Sequence, residues 1–194
     1  MARFEIVASA LDGILVLQPT VFYDTRGAFL ECFNAQEFAQ LGLPTNFVQD
    51  NMSVSRYGVL RGLHFQWDPP MGKLLRVCCG HIQLVEVDIR PDSPSCGMHW
   101  SIELTANEHQ LIWIPPGFAN GFLVLSSEAI VQYKCTAFYN PTGEGAIRWN
   151  DPSLDIGWNL DSEPITSEKD RNAMTLQQWL ARSESRLLTY QNKR

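Results

Sequence analysis

The residues best suited to chemistry stand inside strand-like sequence: Arg61-Gly62-Leu63-His64-Phe65-Gln66, then Gly72-Lys73, then Tyr133-Lys134. In a strand, residues of equal parity share a face. Arg61 and Leu63 are therefore expected to point one way and Gly62, His64 and Gln66 the other, with small Gly62 leaving room for a ligand beside the imidazole. Histidine gives or takes a proton near neutrality, a placed lysine steadies developing negative charge, and tyrosine stays a neutral donor up to about pH 10. Taken singly, each has a bland reading. A strand histidine is usually a hydrogen-bonded core residue, a strand tyrosine packs on a pleated surface, and a strand lysine guards an edge. Only their combination argues against those readings.

Other chemistries are absent from the sequence. No G-x-G-x-x-G follows a strand, and no G-x-x-x-x-G-K-[ST], G-x-S-x-G, H-E-x-x-H or H-x-H occurs, so the usual dinucleotide, NTPase, serine hydrolase and zinc signatures are missing. The 194 residues carry 15 Lys+Arg against 21 Asp+Glu, a net charge of −6. With no basic run, that balance argues against nucleic acid as a partner, although a small anion can still be held by a few placed cations. Hydrophobic residues at 45% and charged residues at 19% suit a globular core. Arg3, Glu5 and Asp12 break the first apolar stretch, which makes it a poor secretion signal. The longest segment free of Asp, Glu, Lys and Arg, His109 to Ser127, is cut by Pro115-Pro116-Gly117 and Asn120-Gly121, so no membrane span is expected. Five cysteines without a C-x-x-C pair read as reduced, mostly buried thiols, and the expected location is the cytoplasm.

The elements that must position these residues are mainly of period two. Trp100, Ile102 and Leu104 alternate with Ser101 and Glu103, and Val85, Val87 and Ile89 with Glu86, Asp88 and Arg90, as half-buried antiparallel strands require. Similar runs occupy 13–21, 47–66, 73–79, 111–114, 122–125 and 129–136, with turns at Gly80, 91–97, Asn107, 115–117, Asn120-Gly121 and 141–145. Such spacing predicts a sandwich or barrel. Asn34 with Glu37 forms a capping box for a helix over 35–41 that stops at Gly42. Leu176, Trp179, Leu180 and Leu187 fall at helical spacing after a second box-like pair, Ser167 and Asp170. The expected organisation is one domain over 1–194, with a β-rich core over about 10–150 and a loop-and-helix tail over 151–194.

The motifs RGLHFQ (61–66), GKLLRV (72–77), VDIR (87–90), WIPPGF (113–118), YKCT (133–136) and IRWNDP (147–152), with FYDTRG (22–27), FVQDN (47–51) and SEKD (167–170), resemble the dTDP-4-dehydrorhamnose 3,5-epimerase family. The resemblance runs in order over about residues 10–172. It implies an all-β, cupin-type double-stranded β-helix jelly roll with a short N-terminal helix and a C-terminal helical tail. It also implies a homodimer whose N-terminal strands join the partner's sheet, a nucleotide-sugar substrate, no cofactor and no metal. The absence of a second histidine two places after His64 agrees with the last point.

The implied reaction inverts C3 and C5 of a dTDP-4-keto-6-deoxyhexose. Removing a proton next to a ketone needs a base and a stabiliser for the enolate oxygen, and inversion needs an acid on the opposite face. By resemblance His64 is the base, Asp170 its dyad carboxylate, Lys73 the enolate stabiliser and Tyr133 the returning acid. Arg26 and Arg61 match cations near the pyrophosphate, and Phe29 and Tyr139 match aromatics around the thymine. Glu31, Gln49, Asn51, Glu144 and Lys169 match further polar contacts of the substrate pocket. One departure falls in the pocket. The family's G-F-A-H-G-F reads Gly117-Phe118-Ala119-Asn120-Gly121-Phe122 here, and Asn120 cannot carry a proton charge near pH 7. A second, outside it, is Trp158-Asn159 where the family has Trp-Pro. Relatives that invert one centre, or that act on CDP- or GDP-linked 4-keto sugars, share most of these motifs and form the alternative reading. A non-catalytic sugar-binding cupin is the third, and it would not need to keep His64, Lys73, Tyr133 and Asp170 together.

Overall fold

The computed structural model describes residues 3–190. Two antiparallel sheets face each other. The larger has the order β1-β2-β10-β7-β12-β5, built from Phe4–Ala10, Ile14–Pro19, Leu111–Ile114, Lys73–Cys79, Glu128–Cys135 and Gln49–Arg56. The smaller has the order β13-β6-β11-β8-β9, built from Glu144–Ala146, Leu60–Gln66, Phe118–Val124, His81–Asp88 and His99–Thr105. A separate hairpin pairs β3 (Val21–Asp24) with β4 (Gly27–Leu30). Neighbours along each sheet are mostly distant in sequence, the arrangement of a jelly roll. Among the described residues no helix is long and apolar enough to cross a membrane.

Three apolar layers hold the sheets in place. Ile14, Leu75, Ile112 and Val131 of the large sheet meet Ile82, Leu84, Phe122 and Val124 of the small one. The outer face of the large sheet buries Leu17, Leu74 and Leu111 under Phe38 of α1 (Ala35–Gln40). The outer face of the small sheet buries Leu63, Val85, Val87 and Ile89 under Leu154, Leu176, Trp179 and Leu188 of the C-terminal tail. Trp179 has no exposed surface, and its indole Nε1 donates to the Ile89 carbonyl at 3.1 Å. Burying one such ring is worth about 2–3 kcal/mol, which pins the tail to the sheet.

The tail explains why one expectation fails. β8 has Ile82 and Leu84 on the parity of Glu86 and Asp88, so it is apolar on both faces, and Glu86, Asp88 and Arg90 are buried instead of facing water. Arg90 forks onto Asp88 (2.9 and 2.7 Å), whose carboxylate also accepts from Ser93 (2.5 Å) and Ser95 (2.6 Å). VDIR is thus a structural clamp.

Other sequence expectations shift as well. The run 47–66 is two strands in different sheets, parted by a turn at Gly58 (φ +72°). Asn120-Gly121 is no turn but the middle of β11, flanked on both sides by β6 and β8. Asn34 caps α1 by accepting from the amides of Gln36 and Glu37, but the Glu37 carboxylate accepts from the Arg3 amide instead of closing the box. In the tail, Ser167 caps α2 (Glu168–Arg171), and Thr175 with Gln178 caps a separate α3 (Leu176–Leu180), while Leu187 lies in a 3-10 turn. Of the thiols, Cys135 alone is buried, and Cys78 and Cys79 are exposed.

Candidate active site

The interior faces of the two sheets diverge at one end into a cavity of about 120 Å³, whose lining includes His64, Lys73, Tyr133, Tyr139 and Glu144. The large sheet supplies one wall by simple register. Tyr133 lies opposite Asn51 on β5, and Cys135 opposite both Gln49 and Lys73, so all five face inward on neighbouring strands. Lys134 points outward to Asp50 at 2.7 Å.

The small sheet supplies the other wall through an irregularity. Asn120 pairs with His64 but Phe122 pairs with Arg61, so β6 spends three residues where β11 spends two. This bulge turns Arg61 to the same face as His64, contrary to strict alternation. Arg61 donates to Ser55 Oγ at 2.9 Å. Gly62 does not make room for a ligand: a Cβ there would lie 2.5 Å from the Gly121 Cα. The glycine pair lets β6 and β11 approach beside the His64–Asn120 register.

Asp170 arrives from α2. Its Oδ1 lies 2.6 Å from His64 Nε2, and the carboxylate is almost wholly buried. Burial alone would raise its pKa, but the His64 hydrogen bond and charge, with two hydrogen bonds from Ser167, outweigh it and hold the carboxyl below its ordinary value. An acceptor at Nε2 puts the proton there in the neutral ring and leaves the lone pair on Nδ1.

Lys73 Nζ lies 3.4 Å from the His64 carbonyl and 3.4 Å from Asn120 Oδ1, and 5.7 Å from the centre of the Tyr133 ring. Burial lowers its pKa, against the opposing pull of Glu86, Cys135 and Glu144. Tyr133 is raised, by burial first, then by Cys135 and Glu144 against Asn51 and Arg61, so it stays protonated as an acid must. Asn120 directs both ends of its amide inward: Oδ1 accepts from Lys73, and Nδ2 donates to Glu86 at 2.5 Å.

At the mouth, Glu144 Oε1 accepts from Tyr139 OH (2.5 Å) and Lys169 Nζ (2.6 Å), while the Tyr139 amide donates to Gln49 Oε1 (2.8 Å) and Gln49 Nε2 to Asn51 Oδ1 (3.0 Å). Gln66 donates to the carbonyls of Pro69 and Phe138 and accepts from the Asn140 amide, fixing the loop that carries Tyr139.

Arg26, Phe29 and Glu31 do not reach this cavity within one chain. The Arg26 side chain is 87% exposed and paired with Asp24, Phe29 is 64% exposed, and Glu31 meets Arg3 and Asn34. Of the three residues that alternation misplaced, Glu86 is the one that reaches this site, through Asn120. Its signal was available, because apolar residues at both parities of 82–89 mark a strand buried on both faces. Among the described residues no group of three or more His, Cys, Asp or Glu is placed to hold a metal ion.

Residues 8–178 match the family model described as dTDP-4-dehydrorhamnose 3,5-epimerase. The chain is 47% identical over 174 residues to the dTDP-4-dehydrorhamnose 3,5-epimerase of Methanothermobacter thermautotrophicus, covering 89% of this chain and 94% of that one. It is also similar to the crystal structure of dTDP-6-deoxy-D-glucose-3,5-epimerase RmlC from Legionella pneumophila in complex with dTDP-4-keto-L-rhamnose. There the TM-score is 0.90 at 41% identity, over 97% of this chain and 99% of that one. The structure of ChmJ, a 3'-monoepimerase from Streptomyces bikiniensis in complex with dTDP-quinovose, matches with a TM-score of 0.81 at 32% identity, over 85% and 84% of the two chains.

Proposed function

The chain belongs to the dTDP-4-dehydrorhamnose 3,5-epimerase family, and from that premise we propose that it inverts C3 and C5 of dTDP-4-dehydro-6-deoxy-D-glucose to give dTDP-4-dehydro-L-rhamnose. The observation that carries this reading is that His64, tied to Asp170, and Tyr133 come to one cavity from opposite sheets, with Lys73 between them. A hexose held there has a base on one face and an acid on the other.

In this mechanism the proton next to the 4-keto group passes to His64 Nδ1 and the C–H electron pair moves into the carbonyl, forming an enolate. The buried Asp170 carboxylate stabilises the imidazolium, and the Lys73 ammonium stabilises the enolate oxygen. Tyr133 then delivers a proton from the opposite face. Exchange of His64 and Tyr133 protons with solvent resets the pair, and the second centre follows by the same route. Tyr139, Glu144, Lys169, Gln49 and Asn51 line the path of the nucleotide and sugar, with Arg61 at its edge.

The pyrophosphate and thymine contacts of Arg26, Phe29 and Glu31 belong, in this reading, to the pocket of a second copy, so the working form is a homodimer. Support comes from the β3–β4 hairpin, which leaves Phe22, Tyr23 and Phe29 48%, 72% and 64% exposed. Sedimentation should give a dimer, and Phe29→Ala should raise KM with little change in kcat. A cytoplasmic location completes the proposal, supported by five cysteines that stay unpaired.

Incubation with the dTDP-4-keto sugar in heavy water tests the function. Deuterium at both C3 and C5, followed by NMR, is expected. Label at one carbon alone would replace this reading with a single-centre epimerase, and no label on dTDP-, CDP- or GDP-linked 4-keto sugars would overturn it.

A further inference from the structure

Glu86 is a buried acid that the mechanism above does not use. It has no exposed surface, its Oε1 is taken by Asn120 Nδ2, and its Oε2 has no hydrogen-bond partner. A lone carboxylate oxygen shut away from water is costly, and such groups persist where something offsets their charge. The offsetting group is Lys73. Asn120 bridges Glu86 to Lys73 with its amide dipole aligned for both, the carbonyl toward the ammonium and the NH₂ toward the carboxylate. A neutral amide is the one side chain type that keeps that polarity at every pH, because it never gains a proton of its own.

We propose that Glu86 is a positioning residue for the reaction, acting through Asn120 to orient the Lys73 ammonium and keep it charged inside the cavity. The inference rests on the role given to Lys73 above. The other titratable groups around the pair are His64 from β6, Tyr133 and Cys135 from β12, and Glu144 from β13. Tyr133 and Cys135 are both pushed up, by burial first, and stay neutral. Glu144 is committed to Tyr139 and Lys169 at the mouth, and on β8 itself Asp88 is closed off by Arg90. β10 brings only Ile114 beside Lys73, and β9 only Trp100 beside Glu86. Among the described residues, Glu86 is thus the acid near Lys73 that no other charged group holds. Burial pushes its own pKa up to about 8, against the pull of Lys73 and Asn120, so its charge is present chiefly above that pH, where it opposes loss of the Lys73 proton.

The test is Glu86→Gln, which keeps an oxygen for Asn120 Nδ2 to donate to and removes the charge. With its countercharge gone, Lys73 loses its proton more readily. The alkaline limb of kcat should move about 1–2 pH units toward acid. At pH values above the wild-type limb, activity should fall ~10- to 100-fold, with KM nearly constant, and Glu86→Asp should recover part of the shift. An activity-independent readout is the Lys73 side-chain titration followed by NMR of its labelled Cε, which should move the same way in Glu86→Gln. If Glu86→Gln fails to fold, the same titration in Glu86→Asp, compared with wild type, decides the matter. An unmoved limb and an unmoved Lys73 titration would overturn the proposal. A purely packing role would lower kcat equally at all pH values, which would overturn it too. Failure of the wild type to exchange deuterium would count against the epimerase reading alone, since the titration needs no turnover.

Discussion

Replacing Asp170 by Asn isolates the contribution of one charge to the base. The carboxylate is 2.6 Å from the ring nitrogen of His64 and 3% exposed, whereas the imidazole is 35% exposed. Unit charges about 4 Å apart attract by ~4 kcal/mol at the effective dielectric of a protein surface and by ~1 kcal/mol in water. The partly wet imidazole places this pair between those limits, at about 2–3 kcal/mol. That energy is realised only as the ring gains its proton, so it falls on the transition state and not on substrate binding. kcat should drop roughly 30- to 150-fold with KM nearly constant. The assay is the initial rate of deuterium wash-in at C3 and C5 across pH 6 to 9. Asp170 ionises below its ordinary value of 3.8, so its own titration leaves no mark in that range. A loss under threefold, or one confined to KM, would refute the assignment of Asp170 as the partner of the base.

Tyr133→Phe removes the acid while leaving the ring over Lys73. Wash-in at one or both carbons should fall at least ~100-fold while affinity for the nucleotide sugar, measured by calorimetry, stays within about threefold. Gly62→Ala puts a methyl group 2.5 Å from the Gly121 Cα at a backbone φ of +141°, so β6 must part from β11. Thermal unfolding should fall by ~4–8 °C, for a cost of about 2 kcal/mol or more, with activity lost alongside. Asp88→Ala leaves the Arg90 guanidinium buried without its carboxylate and should cost ~3–5 kcal/mol in denaturant titration. Burial raises the Asp88 pKa, but hydrogen bonds from Arg90, Ser93 and Ser95 more than reverse it, so the folded pKa is depressed. Its contribution is therefore complete above about pH 4 and lost as pH falls through the folded value, and the variant's acid unfolding should be correspondingly flatter.

The strands were legible because turns and alternation mark them, and His64, Lys73 and Tyr133 stood out as polar residues in apolar runs. Asp170 could be matched to His64 only through family resemblance, since 106 residues separate them and nothing local ties SEKD to RGLHFQ. Glu86 was misplaced for a physical reason: alternation says which residues share a face, not which face meets water. Once the tail covers the small sheet, the valines of β8 face the tail and its acids are buried on the opposite face. Arg61 escaped parity because a one-residue bulge is a property of the pair of strands, invisible in either alone. Arg26, Phe29 and Glu31 were matched to the pocket by resemblance, yet the chain leaves them outside it, on an exposed hairpin and the segment after it.

The dyad joins the two ends of the chain's history. β6 is made early and Asp170 late, and the carboxylate is held against the imidazole by a tail docked through Trp179 and the Ile147–Met174 and Val59–Ile165 bridges. A chain still being synthesised can close much of its barrel and yet hold an imidazole with no carboxylate behind it. In the proposed mechanism, full competence to pull a proton from carbon therefore depends on the tail. A copy that stops short of Asp170 lacks the carboxylate behind its base and, in that mechanism, should turn over a keto sugar far more slowly.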